Sequence, residues 1–174
     1  MLTPEGTHTM PEQPHDNPFA DPDRVRAVGE HLLRVHGDLR RELATALSGV
    51  DDVIARLATE PAGPGEAAQG RSLAQHCLTV CDALEQHHSG EDGALGPLER
   101  LFPQLGPAVE RIRAEHRTVA ADLARVRELA ASLDDDGVDA ERVRDELATL
   151  TAGIERHFAY EERELLPAMG VTVP

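Results

Sequence analysis

The stretch that decides the fold is residues 154–169, which read IERHFAYEERELLPAM. The segment before it carries an apolar residue at every third or fourth position, at Val143, Leu147, Leu150 and Ile154. This interval places them on one face of an α-helix, where the next two positions are His157 and Glu161. Burying a histidine and a carboxylate without partners is costly. Some group in the interior must therefore satisfy both, and a metal ion would do so.

Three more amphipathic helices are predicted before this one. The first runs from the N-cap Asp21 to about Ala58, because Pro22 suits the first helical position. The second starts near Gly70, and its end is left open because its last turns contain four helix-disfavouring residues: Gly90, Gly93, Gly96 and Pro97. The third lies between the break at Phe102-Pro103 and a turn at residues 134–137. The fourth is predicted to begin at the N-cap Asp139.

Each of the three earlier helices also carries a histidine in its apolar stripe: His36, His87 and His116 in chain order. Helices joined in series predict an all-α, up-down-up-down antiparallel four-helix bundle over residues 21–170, after a mobile, disordered tail at residues 1–20. In a helical hairpin, residues equidistant from the turn lie level. The midpoints between successive histidines fall in the loop at 61–65, at Phe102, and in the turn at 134–137. The four histidines are therefore predicted to converge on one layer.

This predicted layer favours a metal site. A single histidine on an apolar face is more often a hydrogen-bonded core residue than a ligand. Four at one level, with Glu91 and Glu161 one turn beyond two of them, would form a poorly satisfied polar hole without a cation. Imidazole nitrogens and carboxylate oxygens without a thiolate select iron, manganese or zinc, and two facing carboxylates could bridge two cations.

These residues resemble the hemerythrin-like, or HHE cation-binding, domain family. The resemblance covers residues 22–169 and depends on four motifs: His36, His87-His88-Ser-Gly-Glu91, Glu115-His116, and His157-Phe-Ala-Tyr-Glu161-Glu162 followed by Leu165-Leu166-Pro167. It implies a non-haem centre of two iron ions, oxo- or hydroxo-bridged, that meets O2, peroxide or nitric oxide.

The resemblance also implies a role for each ligand: His36 and His87 on one iron, His116 and His157 on the other, and Glu91 and Glu161 spanning both. Two positions depart from the oxygen-carrying members. These have a second histidine in the third helix where this chain has Ala120, and an aspartate five residues after the last histidine where this chain has Glu161 at four. The loss of a ligand at Ala120 predicts an open coordination position, which favours reactivity over reversible carriage.

Other polar residues are expected outside the centre. His88 is about 100° round the helix from His87 and is expected to face outward. Asp92, Glu162 and Glu164 are interpreted as solvated charge.

His76 lies three helical turns from His87 and is predicted to belong to a polar interior cluster with Arg127 and Glu146. Cys77 and Cys81, the only cysteines, are interpreted as small buried apolar residues that stay reduced.

Charge and hydropathy limit the partners. The net charge of −15 argues against nucleic acid and anionic membranes, which select for Lys and Arg. No long apolar run and no signal pattern occur, so a soluble, cytoplasmic protein is expected.

Three functions remain open. The first is a di-iron protein that binds or senses O2 or a related small oxidant. The second is a di-iron enzyme with catalase- or peroxidase-like activity. The third is a metal-free helical adaptor in which the histidines are structural.

Overall fold

The computed structural model of the protein describes residues 21–59, 66–131 and 140–172. It contains four helices: α1 (Pro22–Leu57), α2 (Glu66–Leu101), α3 (Gly106–Ala131) and α4 (Ala140–Leu165). No strand occurs in these three ranges, and none of their helices is both long and apolar enough to cross a membrane. The predicted tail at 1–20, the loop at 61–65, the turn at 134–137 and the cap Asp139 lie outside the described residues.

The start of α1 confirms the prediction from the sequence. The Asp21 side chain accepts a hydrogen bond of 3.0 Å from the backbone N–H of Asp23, with Pro22 in the first turn. This bond satisfies one of the N–H groups that a helix start leaves without an intrahelical partner.

The second helix starts about one turn earlier than predicted, and the structure gives the C-terminal end that the sequence left open. It begins at Glu66 rather than near Gly70, and it continues through Pro97 to Leu101. Leu95 and Leu98, each 2% exposed, pack in the interior on this last stretch. Their burial outweighs the weak helix propensity of the glycines and the proline, because tertiary packing supplies most of the stability of a helix in a protein.

The four helices form the predicted antiparallel bundle. α1 and α3 each pack against both α2 and α4. The interior contains a large apolar cluster, which includes Leu43, Leu84, Leu123 and Ile154, and a small one, which includes Val25, Leu98, Ile112 and Leu165. Along α1 and α3 the chain passes from the small cluster to the large one, and along α2 and α4 it passes back. The helices therefore run up, down, up and down.

The segment after α4 folds back onto α1. The backbone N–H of Val171 donates to the carbonyl of Leu166 at 3.0 Å, and Gly170 turns the chain with a φ of 71°. A methyl group added at Gly29 would lie 2.8 Å from Val171 and 3.2 Å from Met169. A glycine in α1 thus lets the C-terminal segment approach the helix closely.

The two cysteines are buried in the large cluster, as predicted. Cys77 and Cys81 are free thiols and each is 1% exposed. Burial raises the pKa of the Cys77 thiol and raises that of Cys81 to about 11. Both are therefore protonated and packed as apolar side chains.

Candidate metal centre

A polar layer lies between the two apolar clusters. All four helices contribute to it, and its side chains are almost completely shielded from solvent. It contains the six residues singled out in the sequence and one more, which are His36, His87, His88, Glu91, His116, His157 and Glu161.

These residues form two groups that share Glu91. The two-imidazole group consists of His36, His87, Glu91 and Glu161, and the three-imidazole group of His88, Glu91, His116 and His157. Within each group the candidate ligand atoms lie within 4.8 Å of one another. Ligands that surround one ion at about 2.1 Å lie about 3 to 4 Å apart. Each group therefore matches the size of a site for one cation after small side-chain movements.

Both inner carboxylates divide their oxygens between the groups. Glu91 Oε1 lies 3.2 Å from His87 Nε2 and 3.7 Å from His36 Nε2, whereas its Oε2 lies 3.5 Å from His116 Nε2. Glu161 Oε2 lies 3.3 Å from His36 Nε2, and its Oε1 lies 3.4 Å from His157 Nε2 and 3.5 Å from His116 Nε2. Each carboxylate could therefore contact two ions at once.

Most of the ligand atoms have no hydrogen-bond partner. The described residues contain nine buried side-chain nitrogen and oxygen atoms of this kind, and all except His76 Nε2 belong to the polar layer. They include Nε2 of all five imidazoles and both oxygens of Glu161. A buried polar atom without a partner destabilises the fold by about 1–3 kcal/mol. Such a concentration in one layer is the arrangement that a bound cation would satisfy.

Three further carboxylates, called the outer carboxylates below, contact Nδ1 of three imidazoles, and Nε2 of each of these rings faces the interior. Nδ1 of His36 lies 2.9 Å from Glu162, Nδ1 of His116 lies 2.8 Å from Asp92, and Nδ1 of His157 lies 3.0 Å from Glu115. In each pair the carboxylate and the histidine come from neighbouring helices.

This contact orients the rings for metal binding. Burial raises the pKa of Glu162, but contacts with His36 and Arg40 outweigh it and hold that pKa below its usual value. Because an ionised carboxylate only accepts hydrogen bonds, Nδ1–H of His36 donates to it. In the neutral ring Nε2 then carries the lone pair and faces the interior, as a metal ligand requires.

Protons occupy part of the layer in the metal-free protein. Burial lowers the pKa of His36, but its contacts with Glu161, Glu162 and Glu91 outweigh this effect and raise the pKa to about 10. His116 behaves in the same way, with Glu161, Glu91 and Asp92 raising its pKa to about 10. Burial and the nearby charge of His116 lower the pKa of His88 to about 2. Two cationic rings thus partly balance the carboxylates, and His88 is neutral.

The prediction that His88 faces outward is wrong. Its side chain is 6% exposed, and its ring centre lies 4.7 Å from that of His116 and 5.1 Å from that of His157. At this level α2 packs against both α1 and α3, so two residues 100° apart both point into the bundle. His87 faces the His36 side and His88 faces the His116 side.

The expected gap at Ala120 is also not what the structure shows. Ala120 is exposed on α3, so a histidine there would not lie in the layer. Three imidazoles nevertheless meet in the group that contains His116, because His88 enters it from α2. His88 is therefore a candidate third imidazole in this group, and the number of ligands on each ion stays a prediction.

The interpretation as solvated charge is wrong for Glu162, which is largely buried and contacts His36. Asp92 is half-exposed, as expected, but it also contacts His116, and Glu164 pairs with Arg163 at the surface. A signal was present in the sequence. Asp92 and Glu162 directly follow Glu91 and Glu161, and Glu115 directly precedes His116. Consecutive residues in a helix point about 100° apart. Each of these carboxylates therefore faces the adjacent helix and contacts the histidine there.

His76 does not belong to an interior cluster. Its side chain is one-third exposed, and Nε2 lies 3.8 Å from Glu42 at the surface. Arg127 pairs with Asp82 and Glu85 instead. Both polar side chains stay near solvent because the large cluster fills the interior at their level with apolar residues.

A cavity of about 490 Å³ leads to the two-imidazole group. It lies between α1 and α2 and is closed at one side by α4. His87, Glu91 and Glu161 form its inner end, and apolar side chains form most of its walls: Val28, Leu32, Val35, Leu39, Ala83, Ala94, Leu95, Leu98, Leu165 and Met169.

Comparison with known proteins gives the family. No curated protein and no solved structure shows a significant match to the chain. A family model described as the hemerythrin HHE cation-binding domain matches residues 27–169, which include all seven residues of the polar layer. The chain therefore belongs to the hemerythrin HHE cation-binding domain family.

Proposed function

We propose that the polar layer holds two iron ions, one in each imidazole group, and that the loaded protein binds or senses O2 or a related small oxidant such as peroxide or nitric oxide. The observation that supports two ions is the position of the Glu91 and Glu161 carboxylates, because each has one oxygen facing each group. A single cation would leave half of these oxygens and two or three imidazoles buried without a partner.

The donor set supports iron. Five imidazole nitrogens and two carboxylates, with no thiolate in either group, suit iron, manganese or zinc. Iron, when bound, supplies the electron chemistry that O2 and peroxide require. The chain contributes the rest: the outer carboxylates fix the rings, and the apolar clusters on both sides exclude bulk water from the layer.

Metal content and absorption test this proposal. We expect about two irons per chain, as in di-iron bundles, and a ligand-to-metal absorption in the near ultraviolet that disappears in His87→Ala. His76→Ala is the matched control, because His76 lies on the same helix but outside the layer. A folded wild-type protein that takes up no metal when expressed with iron would contradict the proposal.

A second candidate is an enzyme that decomposes peroxide with the same centre. The observation that favours it is the cavity, which gives a small molecule a path to His87, Glu91 and Glu161. Steady oxygen evolution from hydrogen peroxide, lost in Glu161→Ala and retained in Glu164→Ala, would support turnover. A loaded protein that leaves peroxide intact would support binding alone.

The metal-free adaptor is the weakest of the three functions. It would leave the Nε2 atoms of His87, His88 and His157 without a partner in the interior, and only the protons on His36 and His116 would offset the buried carboxylates.

The proposal extends to location and partners. On the net charge of −15 we exclude nucleic acid and anionic membranes as partners, and we place the protein in the cytoplasm. Cell fractionation followed by immunodetection tests the location.

A further inference from the structure

Met169 places a thioether in the wall of the cavity. Glu161, Leu165 and Met169 line that wall at intervals of four residues, from the inner end of the cavity outward. At 1.5 Å per residue, Met169 lies about 12 Å along the chain from Glu161. It also lines a second cavity, of about 550 Å³, beside the start of α1. A small molecule can therefore reach Met169 from two sides, although its exposed fraction is only 6%.

The sulfur lies where the C-terminal segment, residues 166–172, meets α1. A Cβ atom added at Gly29 would lie 3.2 Å from Met169 Sδ and 2.8 Å from Val171. Glycine is unfavourable in the interior of a helix, and Gly29 has no positive φ that would require it. Its effect is to let the segment approach closely, and the sulfur of Met169 is part of that contact.

The segment is joined to α4 by backbone hydrogen bonds and to α1 by apolar packing. The N–H of Val171 donates to the carbonyl of Leu166, which closes the turn at the end of α4. Met169 belongs to the small apolar cluster together with Val25 of α1, and Val171 packs against that cluster. A polar group introduced at Met169 would therefore weaken the contact with α1 first, because apolar packing depends on the exclusion of polar atoms.

Peroxide introduces such a group into a thioether. The sulfur lone pair attacks one peroxide oxygen, the O–O bond breaks, an S–O bond forms, and the other oxygen leaves as water after it takes up the proton. The sulfur loses two electrons and the peroxide gains them. The product, methionine sulfoxide, is polar and disrupts the apolar packing in which methionine takes part.

We infer that Met169 is a modification site at which peroxide oxidises this protein, and that sulfoxide formation releases the C-terminal segment from α1 at Gly29. Because Met169 forms part of the cavity wall, its release widens the path to the two-imidazole group. The inference rests on the proposed function for the choice of peroxide as the oxidant. It adds a response of the cavity itself to that oxidant.

Mass spectrometry tests the modification. The full-length protein, as purified and after chelation of metal, is treated with hydrogen peroxide beside N-acetylmethionine amide and then digested. We expect the peptide that contains Met169 to gain the mass of one oxygen atom in both samples. An unmodified Met169 after complete oxidation of the free amide would overturn the inference.

Hydrogen exchange tests the release. In peptides that contain residues 166–172, the amides of the oxidised protein should exchange at least about tenfold faster. Peptides from the buried part of α3, around Ile112, should exchange at an unchanged rate. Oxidation of Met169 with unchanged exchange in the C-terminal segment would overturn the release.

Three variants separate Met169 from other sites of oxidation. Met169→Leu keeps an apolar side chain without sulfur, so its exchange should not respond to peroxide. Met169→Gln introduces a polar group and should raise exchange in the segment without peroxide. Thr172→Gln is the matched control, because Thr172 is exposed in the same segment and does not line the cavity wall. A response to peroxide in Met169→Leu, or equal exchange in Met169→Gln and Thr172→Gln, would overturn the inference.

Metal content measured on the same samples separates the two proposals. Protein that takes up two irons but keeps Met169 unmodified contradicts this inference alone. Protein that takes up no iron but shows oxidation of Met169 and release of the segment contradicts the proposed function and supports the modification site.

Discussion

His88 brings a fifth imidazole to the polar layer and makes its two halves unequal. It contacts His116 and His157 by ring edges and has no hydrogen-bond partner for Nε2. Its pKa is lowered to about 2 by burial and by the neighbouring histidines, so the ring is neutral and free to act as a ligand.

Removing this ring should affect one ion more than the other. For His88→Ala we expect bound metal to fall from about two to about one per chain, with affinity at the remaining site within about tenfold of the wild type. The measurement is metal content after dialysis against a weak chelator. His31→Ala is the control, since His31 is exposed. Two tightly held ions in His88→Ala would show that His88 is not a ligand.

The raised pKa values of His36 and His116 predict that metal uptake releases protons. Both pKa values are raised from 6.5 to about 10, so in metal-free protein near pH 8 both rings hold a proton on Nε2 that a cation must displace. We expect release of about two protons per chain near pH 8, and affinity that rises with pH up to about 10. Calorimetry in two buffers with different ionisation enthalpies measures the number. A value of zero would contradict this prediction.

The same pKa values fix the sign of a stability effect in metal-free protein. A group whose pKa is raised on folding stabilises the native state fully below its unfolded pKa of 6.5 and loses that contribution as pH rises through about 10. The contribution of these two rings therefore declines over that range.

At the scale of helices, the outer carboxylates connect neighbours within the layer. Glu162 on α4 holds His36 on α1, Asp92 on α2 holds His116 on α3, and Glu115 on α3 holds His157 on α4. Such contacts fix the orientation of rings that no covalent link joins. The geometry of the layer thus depends on the register of all four helices.

The C-terminal segment gives a prediction at this scale. Gly29→Ala should lower the free energy of unfolding by about 1–3 kcal/mol, because the added methyl group collides with Val171 and Met169. Gly153→Ala should instead raise it by about 0.5–1 kcal/mol, since alanine favours the helix and only Arg156 lies near, at 4.0 Å. Urea unfolding measures both. Equal effects would mean that residues 166–172 do not pack on α1 in solution.

For the whole molecule, metal removal should lower thermal stability. A ligand that binds only the native state stabilises it by about 2.7 kcal/mol at a free concentration one hundred times its dissociation constant. For a chain of this size that corresponds to a fall in melting temperature of about 5–10 °C after chelation. Differential scanning calorimetry with and without chelator measures the shift. Identical melting temperatures would favour the metal-free adaptor.

The sequence predicted the bundle because apolar periodicity and helix capping are local signals. The six inner residues were found because a His or Glu in an apolar stripe is visible along one helix. Their convergence followed from the positions of the breaks. The inward position of His88 could not be predicted in this way. Its angle of about 100° from His87 indicates burial only if a second helix packs on that side of α2, and the sequence does not show that α3 does so. The end of α2 stayed open in the sequence, since the continuation through Pro97 depends on the burial of Leu95 and Leu98 by other helices.

The shared Glu91 joins two unlike groups, one with two imidazoles beside an open cavity and one with three imidazoles away from it. Unlike pockets fill in sequence when cation is scarce. Below two equivalents, the mixture would then contain chains with a single ion rather than only empty and fully occupied chains. The two groups of one chain could also hold ions of two different metals. Native mass spectrometry would separate empty, singly loaded and doubly loaded chains by their masses.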